Sequence, residues 1–314
     1  MNFGKVIKEE LIAKPIKDKH CKKAFLAGLF RGSATLFSEG DQLGVDITLF
    51  SESLAEYTAS LLQVLFNYEI REIGFYEDRL NKRDRVVLSI VGDKATEILK
   101  ELEVLTENNF EFEVNLDFYG EITKKECCLK NFIKGLFMSS GSCSLPDAGE
   151  TGGTGYHLEL VFSHYTSALK TSEKLAEYGI ITKITRRKDS YVVYIKSAEE
   201  IKDFIAFLPA PVSVLKMTDL IINREIANNS NRQKNCDLGN VSKHVEASAK
   251  QIQAIEKIDQ VIGLNTLKEE DRKVAIARKE FPDETLSELA ERLNISKSCL
   301  NHRLRKLVCI ANEL

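Results

Sequence analysis

The chain has 314 residues, 43% of them hydrophobic and 29% charged, with a formal net charge of −3. That is the composition of a globular protein large enough for two or three domains, and it argues against binding a polyanion by bulk charge. No apolar run approaches about 18 residues and the N-terminal stretch "MNFGKVIKEELIAKP" has no apolar signal core, so neither a membrane span nor a signal peptide is expected.

The first informative segment is "CKKAFLAGLFRGS", Cys21–Ser33. It reads as a helix in which Ala24, Gly28 and Gly32 recur every fourth residue, along one stripe. Each helical glycine costs about 1 kcal/mol relative to alanine, so the stripe needs a close neighbour to justify it. A second copy lies 107 residues on, in Cys128–Ser140, "CLKNFIKGLFMSS". Seven of the thirteen positions are identical, where chance composition gives about one.

The flanking elements are duplicated as well. After Ser33 come the strand-like runs "SATLF" and "GVDITLF", the helical pattern "ESLAEYTASLLQVLFNY", the strands "EIREIGFY" and "RVVLSIV", and a helix from about Asp93. After Ser140 come a Gly-rich loop, the strand "YHLELVF", the helix "SALKTSEKLAEYG", the strands "IITKITRRK" and "YVVYIKS", and the helix "AEEIKDFIAFL". Each half is expected to fold as αββαββα, with boundaries 1–106 and 107–210.

These residues carry a resemblance. "FLAGLFRGS" is similar to the LAGLIDADG motif of homing endonucleases, and "FIKGLFMSS" to a decayed second copy. The resemblance implies that the two motif helices pack across a pseudo-twofold, with Gly28, Gly32, Gly135 and Ser139 at the contact. It implies also that two four-stranded sheets form a saddle over DNA. In that family the eighth motif position is a carboxylate, and the pair holds the divalent metals of phosphodiester cleavage. Here those positions are Ser33 and Ser140, and a neutral hydroxyl cannot replace a carboxylate. The nearby acids Glu39, Asp41 and Asp147 would have to rescue both sites together. No catalytic residue, metal or cofactor is therefore expected, with an active homing endonuclease kept as the alternative.

Other signals are weaker. The "TRRK" run (Arg186, Arg187, Lys188) and the "NKRDR" run (Lys82, Arg83, Arg85) offer cations for DNA or a partner, against the reading of solvated turns. "DAGETGGTGYH", Asp147–His157, precedes a strand and lacks the lysine of a phosphate loop. Seven irregularly spaced cysteines point to reduced thiols in a cytoplasm. Cys127–Cys128 are adjacent rather than spaced as CxxC and have no evident Cys/His partner set, which argues against zinc.

Pro209 and Pro211 are read as ending the duplicated part. Residues 211–240 are expected to be a linker and an Asn/Arg-rich segment, with Arg224, Arg232 and Lys234 as candidate DNA or partner contacts. From about Val241 the pattern is amphipathic, with Val241, Val245, Ile252, Ile255 and Ile258 on one side. From Pro211 onward there are 17 Lys and Arg against 15 Asp and Glu, so the acidic excess lies in the first two thirds. Arg292–Val308 holds five basic residues and no acid.

"TLSELAERLNISKSCLNHRLRKL" is the most specific stretch. Thr285 with Glu288 makes a capping box. Ala290 is small where a second helix must cross, Asn294 tolerates a left-handed turn, and Ser296 caps the next helix. Leu300, Leu304 and Leu307 anchor it. This is a helix-turn-helix within an all-α domain of residues 241–314, with Lys297–Val308 as recognition helix. Its expected DNA-binding residues are Lys297, Ser298, Asn301, His302 and Arg305, with Arg303 and Lys306 beside them.

An inactive LAGLIDADG-like double domain followed by a helix-turn-helix resembles the bacterial WhiA family, essentially end to end. The likeness is sharpest in "NREIANNSNRQKNCDLGNVSKHVEASAKQIQAI", where Asn223, Arg224, Asn231, Arg232, Asn235 and Asn240 match an Asn/Arg signature. The fold class expected is therefore α+β with an all-α appendage. The resemblance implies a non-catalytic, cytoplasmic and nucleoid-associated regulator of cell division, chromosome segregation and sporulation. Its expected partners are double-stranded DNA and another transcription regulator or RNA polymerase, with no membrane contact, as a monomer or weak oligomer. An architectural, partner-binding role with weak DNA affinity is the third reading.

Overall fold

The structure is a computed structural model that describes residues 2–40, 42–70, 72–78, 83–108, 111–117, 120–146 and 155–314. It divides into two units, Met1–Ile221 and Ile222–Leu314.

The first unit opens with a helix that sequence patterning missed, α1 (Phe3–Ala13). Phe3, Ile7 and Leu11, spaced by four, are its buried stripe. The first repeat is α2 (Lys19–Ser33), β1 (Ala34–Glu39), β2 (Gln42–Leu49), α3 (Glu52–Phe66), β3 (Glu72–Asp78), β4 (Arg83–Val91) and α4 (Asp93–Glu101). A small hairpin, β5 (Leu105–Asn108) with β6 (Glu111–Val114), joins it to the second repeat. That repeat is α5 (Glu126–Ser140), β7 (Gly141–Ser144), β8 (His157–Phe162), α6 (Tyr165–Ala176), β9 (Lys183–Arg187), β10 (Ser190–Ile195) and α7 (Ala198–Phe207). The strand orders, β1-β2-β4-β3 and β7-β8-β10-β9, are the same topology twice.

Local chemistry sets the element ends. Ser51 caps α3 by accepting from the Leu54 amide at 3.3 Å, and Asn67 ends it in the left-handed region at φ 51°. In the sheets, alternate residues face the helices. Val45, Ile47 and Leu49 of β2 lie beside Val86, Leu88 and Ile90 of β4, all buried. Leu158, Leu160 and Phe162 of β8 repeat this with Val193 and Ile195 of β10.

The two motif helices are the spine of this unit. Ala24 through Phe30, and Phe132 through Ser139, are continuously buried. A Cβ on Gly28 would run into the Phe132 carbonyl oxygen, and one on Gly135 into the Phe25 carbonyl oxygen. These two contacts are each other's image under the 107-residue offset. Farther down, a Cβ on Gly32 would strike the Ser139 hydroxyl. The glycine stripe thus lets two backbones touch, which is what its helix-propensity cost accomplishes.

Residues 211–240 require a correction. They were expected as a linker, yet they lie inside one 51-residue helix, α8 (Pro211–Val261). Proline tolerates the first helical position because its missing N–H has no partner to lose there. The freed donors next in line are satisfied by Glu10, which accepts from the amides of Val212 (2.9 Å) and Ser213 (2.7 Å) and from the Ser213 hydroxyl (2.7 Å). Burial alone would raise the Glu10 pKa, but these bonds hold it below the usual value. Pro211 therefore opens this helix, while Pro209 follows the end of α7 at Phe207.

The second unit is all-α. The C-terminal turns of α8 pack with α9 (Glu269–Glu280), α10 (Leu286–Arg292) and α11 (Lys297–Glu313) around Ile255, Ile258, Val274, Leu289, Leu300, Leu304 and Leu307. Val241 and Val245, expected on the same buried side, are each 60% exposed, so the buried stripe begins later on α8.

Candidate nucleic-acid interface

The α10–turn–α11 geometry rests on a few local bonds. The Glu288 amide donates to the Thr285 hydroxyl at 3.3 Å, and the Thr285 amide to the Glu288 carboxylate at 2.8 Å, closing the capping box. Asn294 takes the left-handed turn position at φ 51°. The Cys299 amide donates to Ser296 at 3.2 Å and starts α11. Buried Leu300, Leu304, Leu307 and Ala311 fix its inner face. Ser298, His302, Arg305 and Cys309 form the opposite, exposed stripe, with Lys297 exposed at its start and Asn301 half-buried at its edge.

The cations of α11 divide into two kinds. Arg303 pairs with Asp271 (3.0 Å) and with Glu270, and Lys306 reaches Asp271 at 2.6 Å. Asp271 is buried on α9, so these contacts tie α11 to α9. Burial works to raise the Asp271 pKa, but the bonds from Lys306 and Arg303 outweigh it and hold the carboxyl below its ordinary range. Arg303 and Lys306, expected to bind DNA beside the outward set, are instead engaged with acids of α9. Lys297, Ser298, Asn301, His302 and Arg305 make no side-chain hydrogen bond or ion pair among the described residues.

Sequence patterning also missed the group that shapes the approach to α10. Arg278 is 1% exposed and donates to the backbone carbonyls of Phe281 (3.4 Å), Pro282 (3.4 Å) and Glu284 (2.8 Å). Burial pushes its pKa below the usual guanidinium value. Arg292 is held by Glu284 at 3.1 Å and lies 3.7 Å from the Phe281 ring centroid. Of the basic residues between Arg292 and Val308, only Lys297 and Arg305 remain uncommitted to an acid among the described residues.

The first unit presents a different picture. The Ser33 hydroxyl donates to the Leu29 carbonyl (2.7 Å) and the Ser140 hydroxyl to the Leu136 carbonyl (3.1 Å). Both are turned back on their own helices at symmetry-equivalent positions. Glu39 is exposed at the end of β1, while Asp41 and Asp147 lie outside the described residues, as does most of the Gly-rich segment. Arg187 pairs with Glu159 at 3.2 Å, and Glu159 also bonds His157 at 3.0 Å. Strand alternation puts Arg186 on the other face of β9 from Arg187. Arg85 lies 5.3 Å from the Phe50 ring centroid. Lys82 and the Arg83 side chain are outside the described residues. Arg224, Arg232 and Lys234 are exposed on α8.

The thiols depart from expectation too. Cys127 and Cys128 do have a paired set: His20 and Cys21, from the first repeat, stand beside them. Burial, then neighbouring Cys127 and Cys128, pushes the Cys21 thiol up to about 12.

The fold and this interface define a class: a duplicated LAGLIDADG-like domain joined to a helix-turn-helix domain. The sequence matches the WhiA N-terminal LAGLIDADG-like domain over residues 19–105, the WhiA LAGLIDADG-like domain over 129–227 and the WhiA C-terminal HTH domain over 230–311. The chain belongs to the WhiA family. It is 33% identical over 319 residues to "Probable cell division protein WhiA" of Bacillus pumilus, covering 100% of this chain and 97% of the relative. The protein of the same name in Bacillus subtilis is 33% identical over 317 residues, with 100% and 97% coverage. Full-length DUF199/WhiA from Thermatoga maritima has the same fold, at a TM-score of 0.59 and 21% identity over 100% of this chain and 99% of that one.

Proposed function

We propose that this protein is a non-catalytic, sequence-specific DNA-binding regulator acting in cell division. The observation that carries the reading is the outer stripe of α11: five exposed or half-exposed polar side chains with no internal partner among the described residues, on a helix started by the Ser296 cap and tied to α9 through the buried Asp271. Asn301 is suited to bidentate bonding with adenine and Arg305 with guanine in a major groove. Lys297 and Ser298, at a helix N-terminus, are placed for phosphate. Arg303 and Lys306 support the helix instead of touching DNA.

The duplicated domain carries Ser33 and Ser140, not carboxylates, at the two motif positions, and both hydroxyls are spent on helix carbonyls. Its proposed role is scaffold and partner surface, for another transcription regulator or RNA polymerase, and Arg187 is given no strong phosphate contact because Glu159 neutralises it. Each chain supplies its own pair of motif helices, which favours a monomer or weak oligomer. Chromosome segregation and sporulation belong to the same proposal through the target genes, as does a cytoplasmic, nucleoid-associated location. Among the described residues no helix is long and apolar enough to cross a membrane.

Genome-wide binding in the native host, followed by titration of the recovered site, tests this. A recurrent short motif bound well above random duplex is expected, with no Mg²⁺- or Mn²⁺-dependent cleavage of plasmid carrying it. Binding without sequence preference, or metal-dependent cleavage, would overturn it.

A further inference from the structure

His20 and Cys21 stand in the first turn of α2, and Cys127 and Cys128 in the first turn of α5. Under the 107-residue offset they are the same two positions of the two repeats. Because the motif helices run together, their N-termini meet. One ligand atom from each residue lies within 4.8 Å of every other. The His20 Nδ1 is 3.2 Å from the Cys128 sulfur and 3.3 Å from the Cys21 sulfur. Tetrahedral zinc with thiolates at about 2.3 Å and imidazole at about 2.0 Å needs S–S edges of about 3.8 Å and N–S edges of about 3.6 Å. The two N–S distances of 3.2 and 3.3 Å lie close to that edge, and every other pair is within 4.8 Å, a short contraction from it.

Buried cysteine is a good seam residue, which would account for Cys21 and Cys128, at 4% and 3% exposure. It does not account for His20 and Cys127. Both are exposed, so helix packing does not require either, yet both turn toward the buried pair. Two buried and two exposed ligands also leave a way in, and a groove of about 230 Å³ borders His20 and Cys128. The charge is compatible. Three thiolates and a neutral imidazole on a divalent ion leave one negative charge. Two helix N-termini face it, and Lys22 and Lys125 flank it in sequence.

We propose that His20, Cys21, Cys127 and Cys128 form a structural zinc site that staples the two repeats together at the N-terminal ends of their motif helices. Four protein ligands close the tetrahedron and leave no position for substrate, so the ion holds structure. Binding replaces three thiol protons, which pass to solvent. The staple sits at the opposite ends of α2 and α5 from Ser33 and Ser140, so it is unrelated to the metal chemistry that the motif feet have lost.

The test uses the full-length chain, purified under reductant. Elemental analysis is expected to find about one zinc per chain. Chelator-treated protein given Co²⁺ should develop the visible bands of a tetrahedral thiolate site, bleached by added zinc. His20→Ala and Cys127→Ser alter exposed side chains, so they should keep the far-ultraviolet circular dichroism of the parent while losing the zinc and the Co²⁺ bands. Cys236→Ser, on α8, should keep both. A reduced parent chain that takes up neither ion overturns the proposal. So does full metal retention by both variants, or an intact mass showing Cys21 in a disulfide with Cys127 or Cys128.

Discussion

The feet of the motif helices and the outer face of α11 differ in what their polar side chains are already doing. At the feet of the motif helices, Ser33 and Ser140 bond their own helix carbonyls, and on the neighbouring sheet Arg187 is held by Glu159. On α11 the outward residues Lys297, Ser298, Asn301, His302 and Arg305 are uncommitted among the described residues, while Arg303 and Lys306 are committed to Asp271. Serine, lysine and arginine occur in both the committed and the uncommitted sets. The difference between them is whether an internal partner has been supplied, because a cation already paired must give up that pair before it can neutralise a phosphate.

The largest expected effect breaks the first part outright. Gly28→Ala puts a methyl group into the Phe132 backbone, where no side chain can swing aside. A loss of about 3 kcal/mol from the first unit is expected in denaturant unfolding, from overpacking against a rigid neighbour. A variant as stable as the parent would mean the two helices can separate freely.

Next comes the committed set on α11. Asp271→Asn should destabilise the second unit by about 1.5–3 kcal/mol, the usual worth of hydrogen bonds to charged groups. Its pH dependence has a fixed sign. The Asp271 pKa is lower folded than unfolded, so its stabilisation is complete above the unfolded value of about 3.9 and is lost as pH falls through the folded one. The parent should lose stability on acidification over that range, and Asp271→Asn should flatten the loss. Thermal melts from pH 7 downward would check both.

Asn301→Ala sharpens the comparison from the other side. It should cost about 1–3 kcal/mol at a cognate duplex and leave the melting temperature of the second unit in place. The smallest effect is expected at Arg187→Ala. It removes a surface ion pair, so stability should change by less than about 1 kcal/mol, and DNA affinity by no more. A large loss of affinity there would move the reading surface to the sheet.

Much of this was legible in the chain because it rests on local chemistry. The repeat of Cys21–Ser33 in Cys128–Ser140 announced the duplicated fold, and Thr285, Glu288, Asn294 and Ser296 marked the helix-turn-helix by caps acting within four residues. The failures share a cause: their partners lie far away in sequence. Pro211 looked like a terminator until Glu10, about two hundred residues earlier, was seen to cap the helix it opens. Helical spacing set Arg305 outward and Arg303 beside it, but that Arg303 is held by an acid shows only once Asp271 on α9 is in place. Cys127 and Cys128 lacked a partner set until the motif helices brought His20 and Cys21 alongside. The strand β7, "GSCS", carries too little apolar signal to be seen without its neighbour β8.

On the proposed reading, α11 reads bases through its uncommitted residues. The direct measurement is a mobility-shift titration of Arg305→Ala and Arg303→Ala, each on a duplex recovered from genome-wide binding and on a random duplex of equal length. Arg305→Ala should weaken the cognate duplex by about 1–3 kcal/mol and the random duplex far less, with no change in melting temperature. Arg303→Ala should lower the melting temperature of the second unit, and what it loses in affinity should be shared by both duplexes. Equal loss on the two duplexes from Arg305→Ala would contradict base reading by α11.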